Sequence, residues 1–339
     1  MTGALRAAFR DQAASCADLG SPFMARLCTL LAERLTPGTP LADRLLSWDG
    51  DVSSRGASVP LRLCGALHAL RLQNRAGLAD VYPPHETDPE TLWASISHAL
   101  SSEAAFIDHF LDSPPQTNEV RRSVALLPAA HYVAARFGLP LRLSEMGASA
   151  GLNLNFDRFA LTTPAGRLGP ADAALTLTPD WRGDPPGTAE LRIAERRGVD
   201  LNPLDPQADA LRLLAYLWPD QPHRLALTRA AIGTAHREVD RGDAIDWLTT
   251  RLASVPGQTH FIYTTIAWQY FPPRAQARGT ALIERAGAMA TDNAPIAWFA
   301  MEADGERPGA GMTLRLWPGN DTIALGRVDF HGRWIDWRA

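Results

Sequence analysis

The chain has 339 residues, 46% of them hydrophobic, enough for one large core or two domains. Its net charge of −4 and pI near 6.1 offer no basic surface for a nucleic-acid backbone, and the pairs Arg121-Arg122 and Arg196-Arg197 stand isolated. No lysine occurs anywhere, which excludes a Schiff-base lysine and the lysine of a G-x-x-x-x-G-K-[ST] phosphate loop.

The three cysteines, Cys16, Cys28 and Cys64, are odd in number and form no C-x-x-C. That spacing points to a reducing compartment and to no cysteine-based zinc site. The amino terminus MTGALRAAFRDQ lacks an apolar signal core, and no apolar run is long enough to span a membrane. A cytoplasmic protein without membrane or nucleic-acid partners is expected. No metal site is expected either, because His98 and His109 have no partners at ligand spacing.

Residues 1–137 read as a helical domain. Pro22 follows Ser21, and Phe23, Leu27, Leu30, Leu31 and Leu35 share one face. A second helix is expected over 60–76. A third starts with Asp88 as N-cap and Pro89 at the first helical position, and its apolar stripe runs from Leu92 to Phe110. After Ser113-Pro114-Pro115, the run QTNEVRR at 116–122 reads as an ordinary helix start. Thr117 or Asn118 can cap it, and Glu119 suits its dipole. That helix continues to Phe137 with a possible kink at Pro128.

Residues 138–339 read as an α/β domain. Leu141 opens a short apolar run, Gly147 to Gly151 form a turn of small residues, and an apolar pattern resumes at Leu152. This predicts strand, glycine turn and helix, with backbone N–H groups and a helix N-terminus aimed at a ligand. Glycine there lets a ligand approach the main chain. Glu145 decides between ligands. A carboxylate repels the pyrophosphate of a dinucleotide, and Ser149 replaces the middle glycine of G-x-G-x-x-G. The ammonium, sulfonium and ribose of S-adenosylmethionine are compatible with that acid. E-x-G-x-S-x-G therefore favours S-adenosylmethionine and disfavours NAD.

Further along, Leu175 to Thr178 alternates as a strand, and 191–201 is the next strand. Asp200 at its end can take two ribose hydroxyls. It lies about 50 residues beyond Gly151 instead of ~20, which an inserted hairpin explains. Asp205 with Pro206 is expected to start a helix, and a further helix covers 222–238. Asp243 in Gly-Asp-Ala can accept from an adenine amino group or cap a helix. The apolar strand 260–266 places Thr264, Thr265, Trp268 and Tyr270 where open α/β sheets line their crevice. The rest comprises a helix over 274–290, a strand over 295–301, and antiparallel strands from Met312 to Trp337.

EMGASAGLNL at 145–154 resembles the first motif of class I S-adenosylmethionine-dependent methyltransferases. QTNEVRR at 116–122, EMGASAGLNLNFDRF at 145–159, DWRG at 180–183, GVDLNPLD at 198–205, RGDAIDWL at 241–248 and HGRWIDW at 331–337 together resemble a bacterial domain-of-unknown-function family, number 2332. The resemblance implies a Rossmann-like, seven-stranded sheet of the class I methyltransferase type behind an amino-terminal helical domain. It implies that Glu145, Gly147, Ser149 and Gly151 hold the methionine and ribose end of the cofactor. Asp200 would take the ribose, and Asp243 and Ala244 the adenine. Gln116, Asn118, Glu119 and Arg122 would close the pocket. Arg121 stands where the resemblance implies a small residue, and no N-P-P-Y-type motif follows the fourth strand, so no substrate class carries over.

The expected function is methyl transfer from S-adenosylmethionine to a small molecule. Cofactor contacts are expected from the residues above and Thr265, and substrate contacts from Gln116, Asn118, Arg122 and Trp268. Glu119 or Tyr270 would serve if a base is required. The alternatives are cyclisation or aminocarboxypropyl transfer on the same fold, and a binding protein without turnover.

Overall fold

Polar caps and apolar stripes define the helical part as expected from local chemistry. In the computed structural model, which describes residues 2–235 and 238–339, Ser21 caps the helix Pro22–Arg34 by accepting the Met24 N–H at 3.3 Å. Asp88 caps Pro89–Ser102 through the Glu90 and Thr91 N–H groups at 2.9 and 3.0 Å. The long third helix is in fact two, Pro89–Ser102 and Ala104–Leu111, because Glu103 leaves helical geometry between them. Both still bury the expected stripe, with Leu92, Ile96, Ile107 and Phe110 inside.

The chain divides into two compact units: residues up to Thr117 with Asp209–Ala226, and Asn118–Ala208 with Leu227–Ala339. This differs from the expected boundary at 137/138 in two places. The helix Ser123–Phe137 belongs to the second unit, where Ser123 Oγ bonds Asn153 Oδ1 at 2.8 Å and His131 Nδ1 accepts the Ala189 N–H at 3.1 Å. The short helix Ala210–Ala215 and its surroundings return to the first unit. There Gly65 lets the Tyr216 ring in, since a Cβ at 65 would lie 2.5 Å from that ring. Such pairings are non-local and leave no periodic trace. The expected helix start at Asp205 is also displaced. Asp205 Oδ1 holds a turn through the Gln207 and Ala208 N–H groups, and the helix begins at Ala210. The helix from Pro222 is described to Thr234, and its expected continuation through 236–237 lies outside the described residues.

The second unit carries twelve described strands. They are β1 (Leu141–Met146), β2 (Phe159–Thr163), β3 (Gly166–Leu168), β4 (Leu175–Leu177), β5 (Asp180–Arg182), β6 (Ile193–Asp200), β7 (Val239–Arg241), β8 (Thr259–Thr265), β9 (Ile296–Glu302), β10 (Ala310–Trp317), β11 (Asp321–Val328) and β12 (Trp334–Trp337). Among the described residues, nine of them form one sheet in the order β5-β12-β11-β10-β9-β8-β1-β6-β7. The block β7-β6-β1-β8-β9 is parallel throughout. By sequence it runs third, second, first, fourth, fifth, so the order reverses between β1 and β8. Every residue of β1 and β8 is buried, as expected for strands covered on both faces.

The sheet has nine strands, not the seven expected. After β9 the chain has only the short connection 303–309 before β10, too short for a helical crossover, so β10 must return antiparallel. β11 and β12 continue as a meander, and β5 closes the edge by pairing parallel with β12. The long interval before Asp200 is filled by the three-stranded sheet β3-β2-β4 and by β5, where a hairpin was expected.

Candidate functional site

The turn after β1 puts Gly147, Ser149 and Gly151 in the left-handed region, at φ of +73°, +53° and +72°. Four of its five amides are taken by the protein. Gly147 and Ala148 donate to the Val199 carbonyl at 2.9 and 3.1 Å, Gly151 donates to the Ala148 carbonyl at 2.8 Å, and Ser149 N–H donates to Asp200 Oδ2 at 2.9 Å. Leu152 N–H donates to Asn118 Oδ1 at 2.8 Å. The segment after the turn is a 3-10 stretch, Leu152–Arg158, broken at Asn155, where an α-helix was expected. Asn155 leaves helical geometry (φ −104°, ψ 19°), and the chain passes straight into β2. The anion cradle of a helix N-terminus is therefore corrected: these amides are turned inward and no long dipole follows. The two glycines serve packing as well. A Cβ on Gly147 would lie 2.6 Å from Ala267 Cβ, and one on Gly151 would lie 2.8 Å from Val239 Cγ2.

A cleft of about 170 Å³ opens at the carboxyl ends of β1, β6, β7 and β8. Gly147, Asp200, Asp243, Ala244 and Tyr270 line it, with Ile245 and Phe271 among its apolar walls. Among the described residues its lining holds two carboxylates and no arginine. Asp200 accepts Ser149 N–H through Oδ2 and Asn202 N–H through Oδ1, the latter at 2.9 Å. Each carboxylate oxygen takes two donors, so capacity remains for a ligand. Asp243 caps the helix Ala244–Arg251 through the Ile245 and Asp246 N–H groups at 2.9 and 3.0 Å, while also bordering the cleft. Asp243→Ala should cost about 1 kcal/mol in urea unfolding, the usual value of such a cap. An unchanged midpoint and slope would mean the cap contributes nothing. Tyr270 is 72% exposed and stands at the rim.

Glu145 lies beneath the turn, paired between Gly198 on β6 and Tyr263 on β8. It is 1% exposed, and its Oε2 has no hydrogen-bond partner among the described residues. Burial, reinforced by the Asp200 charge, pushes its carboxyl well above the ordinary range, against a smaller pull from Arg122. Arg122 in turn reaches the Thr265 carbonyl at 2.9 Å and the Phe330 carbonyl at 3.3 Å.

Thr265, Ser149, Gly151 and Trp268 do not line the cleft. Thr265 is buried, and Trp268 is half-buried and packs against Phe271 and Trp298 with ring centroids 5.3 and 5.4 Å apart, so it serves packing. Asn118 and Glu119 are buried beside the turn and away from the cleft lining. Asn118 holds the Leu152 amide, and Glu119 Oε1 accepts the Arg121 N–H at 3.1 Å while its carbonyl accepts Asn153 Nδ2 at 3.2 Å. Gln116 belongs to the first unit.

Sequence reasoning missed Glu302. It ends β9, and its Oε1 accepts the Ala267 and Trp268 N–H groups at 3.1 and 3.0 Å, with Gln269 N–H on Oε2 at 3.4 Å. It thus fixes the loop that begins with Ile266, whose φ of +54° is strained for a β-branched residue, and that leads to Tyr270. An acid ending an apolar strand, in Phe299-Ala-Met-Glu302, was the available signal.

The fold and the cleft together define an α/β protein built on one large mixed sheet, with its cleft at the carboxyl edge of the parallel strands. The chain belongs to domain-of-unknown-function family 2332, described as an uncharacterized protein conserved in bacteria, whose model matches residues 6–337. No curated protein and no solved structure matches it. Among the described residues no helix is long and apolar enough to cross a membrane.

Proposed function

We propose that the protein is an S-adenosylmethionine-dependent methyltransferase acting on a small molecule. The observation carrying this reading is the cleft lining: Asp200 and Asp243 converge on one crevice with Gly147, Ala244 and Tyr270, and among the described residues no basic side chain lines it. The crevice sits where open α/β sheets bind ligands, near the reversal of strand order. Two carboxylates and inward-turned amides suit hydroxyls, an amino group and a cation, and repel linked phosphates. The buried Glu145 Oε2, without a partner among the described residues, fits a cationic ligand end nearby, which would let that carboxyl ionise.

In this reading Asp200 accepts the ribose hydroxyls and Asp243 the adenine amino group. Ala244, Ile245 and Phe271 give the ring an apolar bed. At about 170 Å³ the cleft is smaller than pockets for whole drug-sized ligands, about 300–1,000 Å³, so it takes the adenosine end. The bound cofactor supplies a methyl group on sulfonium, already activated for in-line displacement. The chain's own task is then alignment and exclusion of water, with Tyr270 at the rim beside the acceptor. No covalent nucleophile is required.

Thermal unfolding with S-adenosylmethionine, S-adenosylhomocysteine and NAD tests the reading. The first two should stabilise the protein by about 2.7 kcal/mol at 100 times their Kd, and NAD should not. Stabilisation by NAD alone would overturn it. Cofactor labelled in its methyl group then separates the chemistries: label passing to an acceptor marks methyl transfer, and label retained in methylthioadenosine marks cyclisation or aminocarboxypropyl transfer.

A further inference from the structure

A second pocket, of about 130 Å³, lies at the opposite, amino-terminal edge of the parallel strands. Its walls are mostly apolar, with Leu252, Ala286, Ala290 and Ile296 among them; Ser254 and Gln258 also border it, and two buried polar side chains enter it, Arg142 from β1 and His260 from β8. Arg142 is 8% exposed and His260 6%.

The protein fixes which atoms these two residues present. Arg251 points Nε and Nη2 at Ser144 Oγ, both at 3.3 Å, so that oxygen accepts from a cation. Its own proton is then left for His260 Nε2, 2.8 Å away. Burial and the charges of Arg142 and Arg251 hold the His260 imidazole neutral. A neutral ring that accepts at Nε2 carries its proton on Nδ1. No hydrogen bond is made by that N–H among the described residues. Arg142 uses Nε on Glu195 at 2.9 Å and Nη1 on the Arg251 and Ala253 carbonyls at 3.0 Å each, which leaves Nη2 without a partner among the described residues. Among the described residues, two arginines here face one carboxylate, Glu195.

We propose that this pocket is a binding site for a small monocarboxylate with a short apolar tail. It offers two donors in a positive surrounding, and its apolar walls hold about four water volumes. The carboxylate accepts from Arg142 Nη2 and His260 Nδ1–H, and the tail lies against Ala286, Ala290 and Ile296. The site is independent of the cleft on the carboxyl edge.

Sodium butyrate is the probe, with butyramide as its neutral counterpart and sodium chloride for ionic strength. The readout is the pair of His260 ring ¹⁵N resonances. Butyrate should shift them saturably with a midpoint of about 1 mM, within reach of a ligand of about six heavy atoms. Butyramide and chloride should leave them in place. Ala290→Leu, which fills the pocket and leaves His260 intact, should weaken the response at least tenfold. Arg142→Met should abolish it. No saturable shift with butyrate, an equal shift with butyramide, or an undiminished response in Ala290→Leu would overturn the proposal.

Discussion

Glu145→Gln is expected to weaken S-adenosylmethionine binding about a hundredfold and, at the same time, to stabilise the ligand-free protein at pH 8. The two effects share one cause. The carboxyl is buried, one oxygen lacks a partner among the described residues, and burial with the Asp200 charge raises its proton affinity. The folded state therefore holds a proton above the pH, about 4.3, at which the unfolded chain releases it. Through that window the folded state binds more protons than the unfolded one, so wild-type stability falls as pH rises. Glutamine cannot ionise and removes the fall. Urea unfolding should give similar stabilities near pH 4 and a gap that widens as pH rises, by about 1.4 kcal/mol per pH unit while the folded carboxyl keeps its proton. Titration calorimetry should show the loss of affinity, equivalent to about 2.7 kcal/mol and in the range of a charge-assisted hydrogen bond. Parallel stability curves would show that Glu145 ionises alike in both states. Unchanged affinity would remove it from the site.

Glu302→Ala should cost about 3 kcal/mol and loosen the loop bearing Tyr270. The carboxylate accepts three successive backbone N–H groups, from Ala267 to Gln269. Hydrogen bonds to a charged group contribute about 1.5–3 kcal/mol each, and the third here is long. Ile266 keeps its left-handed φ of +54° only while the residues after it are held. Amide hydrogen exchange should therefore accelerate at 267–270 in Glu302→Ala while β1 stays protected. Glu302→Gln retains one acceptor oxygen and should fall between the two. Exchange at 267–270 equal to wild type would show that the loop holds itself.

Local chemistry carried much of the fold. Asp88-Pro89 and Ser21-Pro22 mark helix starts because the cap and the proline act on their own neighbours. β1 and β8 were legible as apolar runs because they are wholly buried, and β9 because its residues alternate between buried and half-buried. What escaped depends on distant partners. β5 is three residues long and exists because β12 lies beside it. The 3-10 stretch after Gly151 has apolar helical spacing, and Asn155 breaks it in a way that spacing does not reveal. In the site, Asp200, Asp243, Ala244 and Tyr270 were readable because residues after parallel strands border the crevice. Trp268 shares that position and packs inward, and Glu302 arrives from a neighbouring strand to hold the same loop.

A crystal structure with S-adenosylhomocysteine is the most direct test of where this protein holds its ligand. The difference density should place adenine against Ala244 and Phe271 with its amino group at Asp243, and the ribose hydroxyls within hydrogen-bond distance of Asp200. Adenosine bound away from the carboxyl ends of β1, β6 and β7, or no ligand density at saturating concentration, would contradict it.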